Sequence, residues 1–302
     1  MGATHDSSTR FDPPKCHPNT RVAVLEYLLG WIFGHNDPEA LILWLYGPAG
    51  AGKSAILQTI AEMCAERKSI LASYFFGRSD PTWNTFKTLI PTIACQIAIA
   101  IPETRPLVEL VIERDPTIFD KSLVTQLQSL VIHPLKDLSN SGYFSNPETC
   151  PRLVIVDGLD ECVDPKAQSM ILRTLADALR AQKLPLVFLI SSRPEQNIQL
   201  TFNSASLAGL WKSLVLDDTY KPDNDIRTFL VDSFQEIKST HPHHQYIPSD
   251  WPSNSNINHL IEKSSGQFIY ASVVIKYISD LQPRLNHCCP SIQEMLSLLS
   301  DH

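Results

Sequence analysis

The chain lacks any apolar stretch approaching the roughly 18 uncharged residues that a membrane-spanning helix requires. Its longest candidate, TLIPTIACQIAIAIP, is shorter and carries Pro91, so a buried helix is expected there. Cysteine is sparse and unpatterned: Cys16, Cys64, Cys95, Cys150, Cys162, Cys288 and Cys289 are odd in number, scattered and without a CxxC pair. That pattern argues against a secreted disulfide framework and for a reducing, cytoplasmic compartment. A basic excess is missing too. The formal charge of −7 argues against a nucleic-acid partner, which wants a basic domain. The opening MGATHDSSTRFDPPK lacks the apolar centre of a signal peptide, and Asp6 stands where a myristoylation pattern wants Ser or Thr. Neither form of processing is expected. Internal repeats and low-complexity tracts are absent as well.

What the chain does have is enough apolar material for a sizeable core. Hydrophobic residues make up 43% of its 302 positions, which excludes global disorder and fits one large domain or a core with a smaller companion. Residues 1–15 read as a flexible lead-in. An amphipathic helix follows in NTRVAVLEYLLGWIFG, with Val22, Leu25, Leu28, Leu29 and Ile32 at helical spacing. Short apolar runs of buried-strand type then alternate with helical segments. The strands are expected at 41–46, 70–77, 152–157, 185–192 and, more weakly, 211–218; the helices fall at 53–66, 84–101 and 166–182. Residues 103–150 are mixed, with one helix near 122–132 and a polar loop. Near-continuous apolar strands separated by helices predict an α/β fold with a mostly parallel sheet covered on both faces. After about residue 222 only helical patterns remain, in DIRTFLVDSFQEI, NINHLIEKSSG and FIYASVVIKYISDL. The expected division is 1–15, a nucleotide-binding α/β domain over 16–220, and a helical subdomain over 221–302.

The segment GPAGAGKS, between LILWLY and the helix opening at residue 53, fits the spacing G-x-x-x-x-G-K-S/T. Gly47 and Gly52 permit backbone geometry that a Cβ would obstruct, so successive N–H groups can turn inward as an anion nest. The following helix adds free N–H donors and the positive end of its dipole. Pro48, Ala49, Gly50, Ala51 and Ala55 keep the cradle small. Lys53 is placed for the β- and γ-phosphates, and Ser54 offers a hydroxyl to Mg²⁺. The bland alternative is a glycine-rich turn without ligand; the strand before and helix after weigh against it.

RLVIVDGLDEC supplies a second element. Four apolar residues deliver Asp157 to the carboxyl end of a buried strand, where ligands of open α/β sheets bind. A carboxylate there can hold Mg²⁺, a cation that takes oxygen ligands. Gly158 permits a tight exit, and Asp160 and Glu161 follow within one turn. One of them can orient a water for attack on the γ-phosphate, with Glu161 the first candidate and Asp160 its rival. A third strand ends in LISSRPE, bringing Ser191, Ser192 and Arg193 to the same rim. Arg193 there can sense the γ-phosphate and stabilise developing charge; the alternative is an ordinary surface arginine. HPHHQY (241–246) and NHCCP (286–290) match no standard zinc spacing and are not read as metal sites. The aromatic run YFF at 74–76 is read as sheet core.

With GPAGAGKS, LVIVDGLDE and LISSRPE in hand, the chain resembles NACHT-type STAND NTPases, the nucleotide-switch modules of NOD-like receptors. It is especially similar to the fungal set described as nephrocystin-3 N-terminal-like. Softer likenesses lie in CHPNTRVAVLEYLLGWI, YFFGRSDPTWNTFKTLIPTIACQIA and GQFIYASVVIKYI, so the resemblance spans roughly residues 16–280. It implies an ASCE-type P-loop fold with the arginine strand between the phosphate-loop strand and the acidic strand. It also implies ATP or dATP with Mg²⁺, slow hydrolysis and nucleotide-controlled self-association. Under it, Lys53 contacts phosphates, Ser54 and Asp157 the metal, Glu161 or Asp160 the water, and Arg193 acts as sensor. Two departures stand out. Many relatives carry Gly-x-Pro in the helical subdomain, whereas SGQFIYA places Phe268 at the proline position, and no winged-helix or effector segment is evident. Competing readings are a nucleotide-binding scaffold without turnover and a small-molecule kinase, for which no acceptor pocket or lid is evident.

Overall fold

The computed structural model describes residues 3–10, 12–140, 142–145, 151–182, 184, 186–240 and 247–281. The HPHHQY and NHCCP segments lie outside these residues. Contacts divide the chain into two compact units: Met1–Lys15, Val24–Pro48 and Lys53–Leu216 form one, while Cys16–Ala23, Ala49–Gly52 and Asp217–His302 form the other.

The first unit is built on five strands, β1 (Ile42–Tyr46), β2 (Ile70–Phe75), β3 (Leu153–Asp157), β4 (Val187–Ser192) and β5 (Trp211–Val215). They pair in the order β2-β3-β4-β1-β5, and every pairing is parallel. Each expected strand is present, shortened by a residue or a few at its ends. The central strands β3 and β4 are buried at every position, as a parallel sheet with both faces covered demands. β4 lies between β1 and β3, the order implied for an ASCE-type P-loop fold.

Parallel strands need crossovers, and helices supply them. The chain enters through α1 (Val22–Ile32), and α2 (Lys53–Glu66) follows β1 and packs across β2, β3 and β4. α3 (Leu89–Ala100) packs on β2 and buries Leu89, Ile90, Ile93 and Ile97, so the apolar segment around Pro91 is a buried helix. Residues 105–140 are more helical than the sequence pattern suggests. They form α4 (Arg105–Arg114), α5 (Leu123–Leu127), a π-turn over Gln128–Ile132 and α6 (His133–Asn140). Ser122 starts α5 by accepting the Thr125 N–H at 3.2 Å, a normal N-cap bond. α7 (Pro165–Gln182) and α8 (Gln196–Phe202) complete the unit. Tyr74, Phe75 and Phe76 are buried, confirming YFF as sheet core.

Residues 3–10, expected within a flexible lead-in, pack against the sheet unit. β2 is an edge strand, and an edge strand presents unpaired N–H groups. Phe75 N–H donates to Ala3 O at 2.8 Å and Ala3 is only 2% exposed. The edge is further closed by Gln96, whose side chain accepts from Ser73 N–H and donates to Ser73 O.

The second unit is helical. α9 (Pro222–Thr240), α10 (Asn254–Ser264) and α11 (Phe268–Leu281) pack around Ile226, Leu230, Phe234, Leu260, Ala271 and Val274. The short segments 16–23 and 49–52 join them. Arg21 is buried, with its backbone N–H on Asp225 Oδ2 at 3.1 Å, its Nη2 on Ala51 O at 3.0 Å and its guanidinium 4.9 Å from the Phe268 ring. Ile269 N–H donates to Gly50 O.

Candidate functional site

The carboxyl ends of β1, β3 and β4 gather the polar residues singled out in the sequence. β1 ends at Tyr46, and Gly47–Gly52 lead into α2, whose first residues are Lys53 and Ser54. Gly50 and Gly52 have φ of +76° and +91°, backbone geometry that costs an L-residue about 1–2 kcal/mol. The place a Cβ on Gly52 would take is open, with nothing within 4 Å. At Gly50 the same atom would lie 2.3 Å from Ile269 Cγ2. Glycine at 52 thus serves the backbone, and at 50 both backbone and space.

Lys53 is half-buried and its Nζ donates to Gly47 O at 2.9 Å and Pro48 O at 2.8 Å. Burial lowers its pKa, and the carboxylates of Asp160, Asp157 and Glu161 oppose that shift while Arg193 adds to it. Lys53 Nζ is thus held at the loop within the field of three carboxylates.

Asp157 ends β3 and is 4% exposed. Its Oδ1 accepts a 2.5 Å hydrogen bond from Ser191 Oγ. Burial raises its pKa, while the Ser191 bond, the nearby Ser54 hydroxyl and the charges of Arg10 and Lys53 pull it back. Ser191 also accepts Gly158 N–H at 3.0 Å, and Gly158 turns the chain with φ of +68°. One buried hydroxyl on β4 thereby fixes both the strand-end carboxylate and the turn behind it.

Beyond Gly158 a short 3₁₀ turn, Leu159–Glu161, sends the next two carboxylates different ways. Asp160 is buried and engaged: its Oδ1 accepts Arg193 N–H at 2.9 Å and its Oδ2 lies 3.3 Å from Arg193 Nε. Glu161 is half-buried, and among the described residues its Oε2 accepts only the backbone N–H of Arg78, at 2.9 Å. Burial raises the Glu161 pKa, the Arg78 N–H opposes, and the like charges of Asp157 and Asp160 raise it further. Of the two rivals, Glu161 is the one with carboxylate capacity to spare.

The structure brings Lys53, Ser54, Asp157, Asp160, Glu161 and Arg193 to one rim. Arg78 and Arg10 escaped the sequence reading. Arg78 immediately follows the strand ending YFFG, so the rule that ligands sit at strand carboxyl ends could have flagged it. Arg10 carries no comparable local signal.

The donor set fits a phosphate chain and a hard cation. Among the described residues no cluster of three or more His, Cys, Asp or Glu forms a metal site. A cation here would draw oxygen from Ser54 and Asp157 and complete its shell with phosphate and water, the habit of Mg²⁺. The open space beside Gly52, the N-terminus of α2 and the Lys53 ammonium suit an anion.

This fold and this rim define a NACHT-type P-loop NTPase. The family profile described as Nephrocystin 3, N-terminal, matches residues 28–193, more than half of the chain. The chain belongs to that family. No curated protein matches it. Among solved structures, it is similar to PCH-2 of C. elegans, at 10% identity and a TM-score of 0.46, over 93% of this chain and 68% of that one. Domain III of the Thermotoga maritima replication initiation protein DnaA matches at 11% identity and 0.46, over 95% and 93%. The Pif1 helicase of Candida albicans matches at 17% identity and 0.31, over 72% and 44%.

Proposed function

We propose that this chain binds ATP or dATP with Mg²⁺ and hydrolyses ATP slowly. Its nucleotide state sets conformation and self-association, as in the signalling and self-recognition modules of fungal NOD-like receptors. The single observation that carries the nucleotide reading is the convergence of Lys53 and Ser54, at the start of α2 after β1, with the buried carboxylate of Asp157 at the carboxyl end of β3.

In this reading the N–H groups of Gly47–Ala55 cradle the phosphates, and Lys53 neutralises the β/γ end. Ser54 and Asp157 hold Mg²⁺, which when bound screens the charge between the phosphate groups. Asp160 anchors Arg193 and sets the height at which its guanidinium, 43% exposed, meets the γ-phosphate. Glu161 orients water and takes its proton, helped by a pKa already raised by burial and by its acidic neighbours. The phosphate loop contributes Lys53 and Ser54 to the sheet unit and Ala49–Gly52 to the helical unit.

Release of γ-phosphate by the purified chain, with Glu161→Gln as control, tests the reading. Release above the control supports it. Tight nucleotide binding with no release above the control would instead make the chain a nucleotide-binding scaffold.

A further inference from the structure

Arg10 stands outside every motif, yet its surroundings are specific. Its Nη1 donates to Gln58 Oε1 at 2.7 Å and approaches Thr4 O at 3.5 Å, and its Cζ lies 3.6 Å from the centre of the Phe75 ring. Gln58 is 1% exposed and sits one helical turn after Ser54 on α2. Its Nε2 donates to His5 O at 2.9 Å and to Glu62 Oε1 at 2.8 Å. Phe75 pairs with Asp157 across β2 and β3, and paired residues on neighbouring strands present side chains to the same face. Arg10 therefore stacks on the ring beside the strand-end carboxylate, on the face covered by α2.

The same segment grips the sheet at several points. Ala3 O accepts Phe75 N–H, His5 N–H donates to Ser73 Oγ at 2.9 Å, and Lys15 pairs with Glu62 at 2.8 Å. The charges of two cations of this unit act on the Asp157 carboxyl group through space, Lys53 from the phosphate loop and Arg10 from this segment. Lys53 is committed to the loop carbonyls. Arg10 is the cation that belongs to no recognised part of the site.

We propose that Arg10 is a positioning residue of the metal–nucleotide site, the resident counter-charge of Asp157. Segment 3–10 is then held on β2 partly by the carboxylate that a divalent cation engages. The inference rests on the reading of Asp157 as a metal ligand given above. Linkage fixes its sign: a cation drawn to Asp157 weakens the hold of Arg10, and removal of Arg10 strengthens the hold on the cation by the same factor.

The test uses the full chain. In a Mg²⁺ titration at a fixed concentration of a fluorescent ADP analogue, Arg10→Ala lowers the half-saturating Mg²⁺ several-fold, and Arg10→Lys stays near wild type. An unchanged or raised midpoint in Arg10→Ala overturns the proposal. Hydrogen exchange at the Phe75 amide gives a second readout that needs no nucleotide. Asp157→Asn accelerates it in the wild-type background and adds nothing in Arg10→Ala; equal acceleration in both backgrounds overturns the coupling. Should the wild type take up no nucleotide at all, the proposed function fails, while the exchange cycle still decides the role of Arg10.

Discussion

The Ser191 hydroxyl on β4 donates to the Asp157 carboxyl group at the end of β3. Two segments distant in sequence are thus joined at the point where a metal-bound phosphate chain would sit. The same hydroxyl accepts the Gly158 N–H at 3.0 Å, and the Ser54 hydroxyl at the start of α2 is near enough to lower the pKa of the carboxyl group.

Glu161 and Asp160 differ in the groups they bond. Glu161→Gln keeps the Arg78 N–H bond, because the amide oxygen still accepts it, but cannot take a proton. It is expected to lower phosphate release by about 10²–10⁴-fold, the usual range for a positioned base, with nucleotide affinity nearly unchanged. Asp160→Asn keeps an acceptor for Arg193 N–H but weakens the ion pair. Its effect is expected to be smaller and to track that of Arg193→Ala. Single-turnover phosphate release on the three variants checks the order.

Stability should fall as pH rises above the ordinary carboxylate range, and Glu161 contributes to the fall. Its folded pKa lies above the ordinary glutamate value of 4.5, so the folded chain binds more protons than the unfolded one between those two values. Stability is then greatest at the acid end of that interval and declines as pH rises through the folded pKa. Glu161→Gln removes this contribution. Thermal melts from about pH 4.5 to neutrality are expected to show a shallower decline in the variant, and to leave it the more stable protein at neutral pH.

Alanine at the two loop glycines discriminates between backbone strain and collision. Gly52→Ala meets open space, so its cost is that of a left-handed alanine, about 1–2 kcal/mol. Gly50→Ala bears the same strain and also drives a methyl group to within 2.3 Å of Ile269 Cγ2. It is expected to destabilise further, by about 1–3 kcal/mol for overpacking. Ile269→Ala in the Gly50→Ala background should recover part of the loss. Urea denaturation of the three variants measures it.

Much of this could be read directly from the sequence. All five strands were legible because a parallel strand buried on both faces becomes an unbroken apolar run, as in LVIVD and VFLISS. The phosphate loop, Asp157 and Arg193 were legible because each sits at a strand end with a glycine or proline marking the exit. The assignment between Asp160 and Glu161 was not. It depends on a 3₁₀ turn after a left-handed Gly158, which aims Asp160 at Arg193. Helix α4 was missed because PLVELVIER buries only Val108, so its apolar face is weak. The place of residues 3–10 was invisible for a different reason: a short polar segment becomes ordered only by the open edge of β2, a partner that no local pattern reveals.

The central claim is that Lys53, Ser54 and Asp157 grip one Mg²⁺-bound nucleotide. Equilibrium binding of ATP to the wild type, Lys53→Ala and Asp157→Asn, with and without Mg²⁺, tests it most directly. The account predicts measurable wild-type affinity and a loss of about 1.5–3 kcal/mol in Lys53→Ala, the worth of a hydrogen bond to a charged group. It also predicts a Mg²⁺ dependence that Asp157→Asn abolishes. Wild-type protein that binds neither ATP nor ADP, or variants that bind as tightly as it does, would contradict the account.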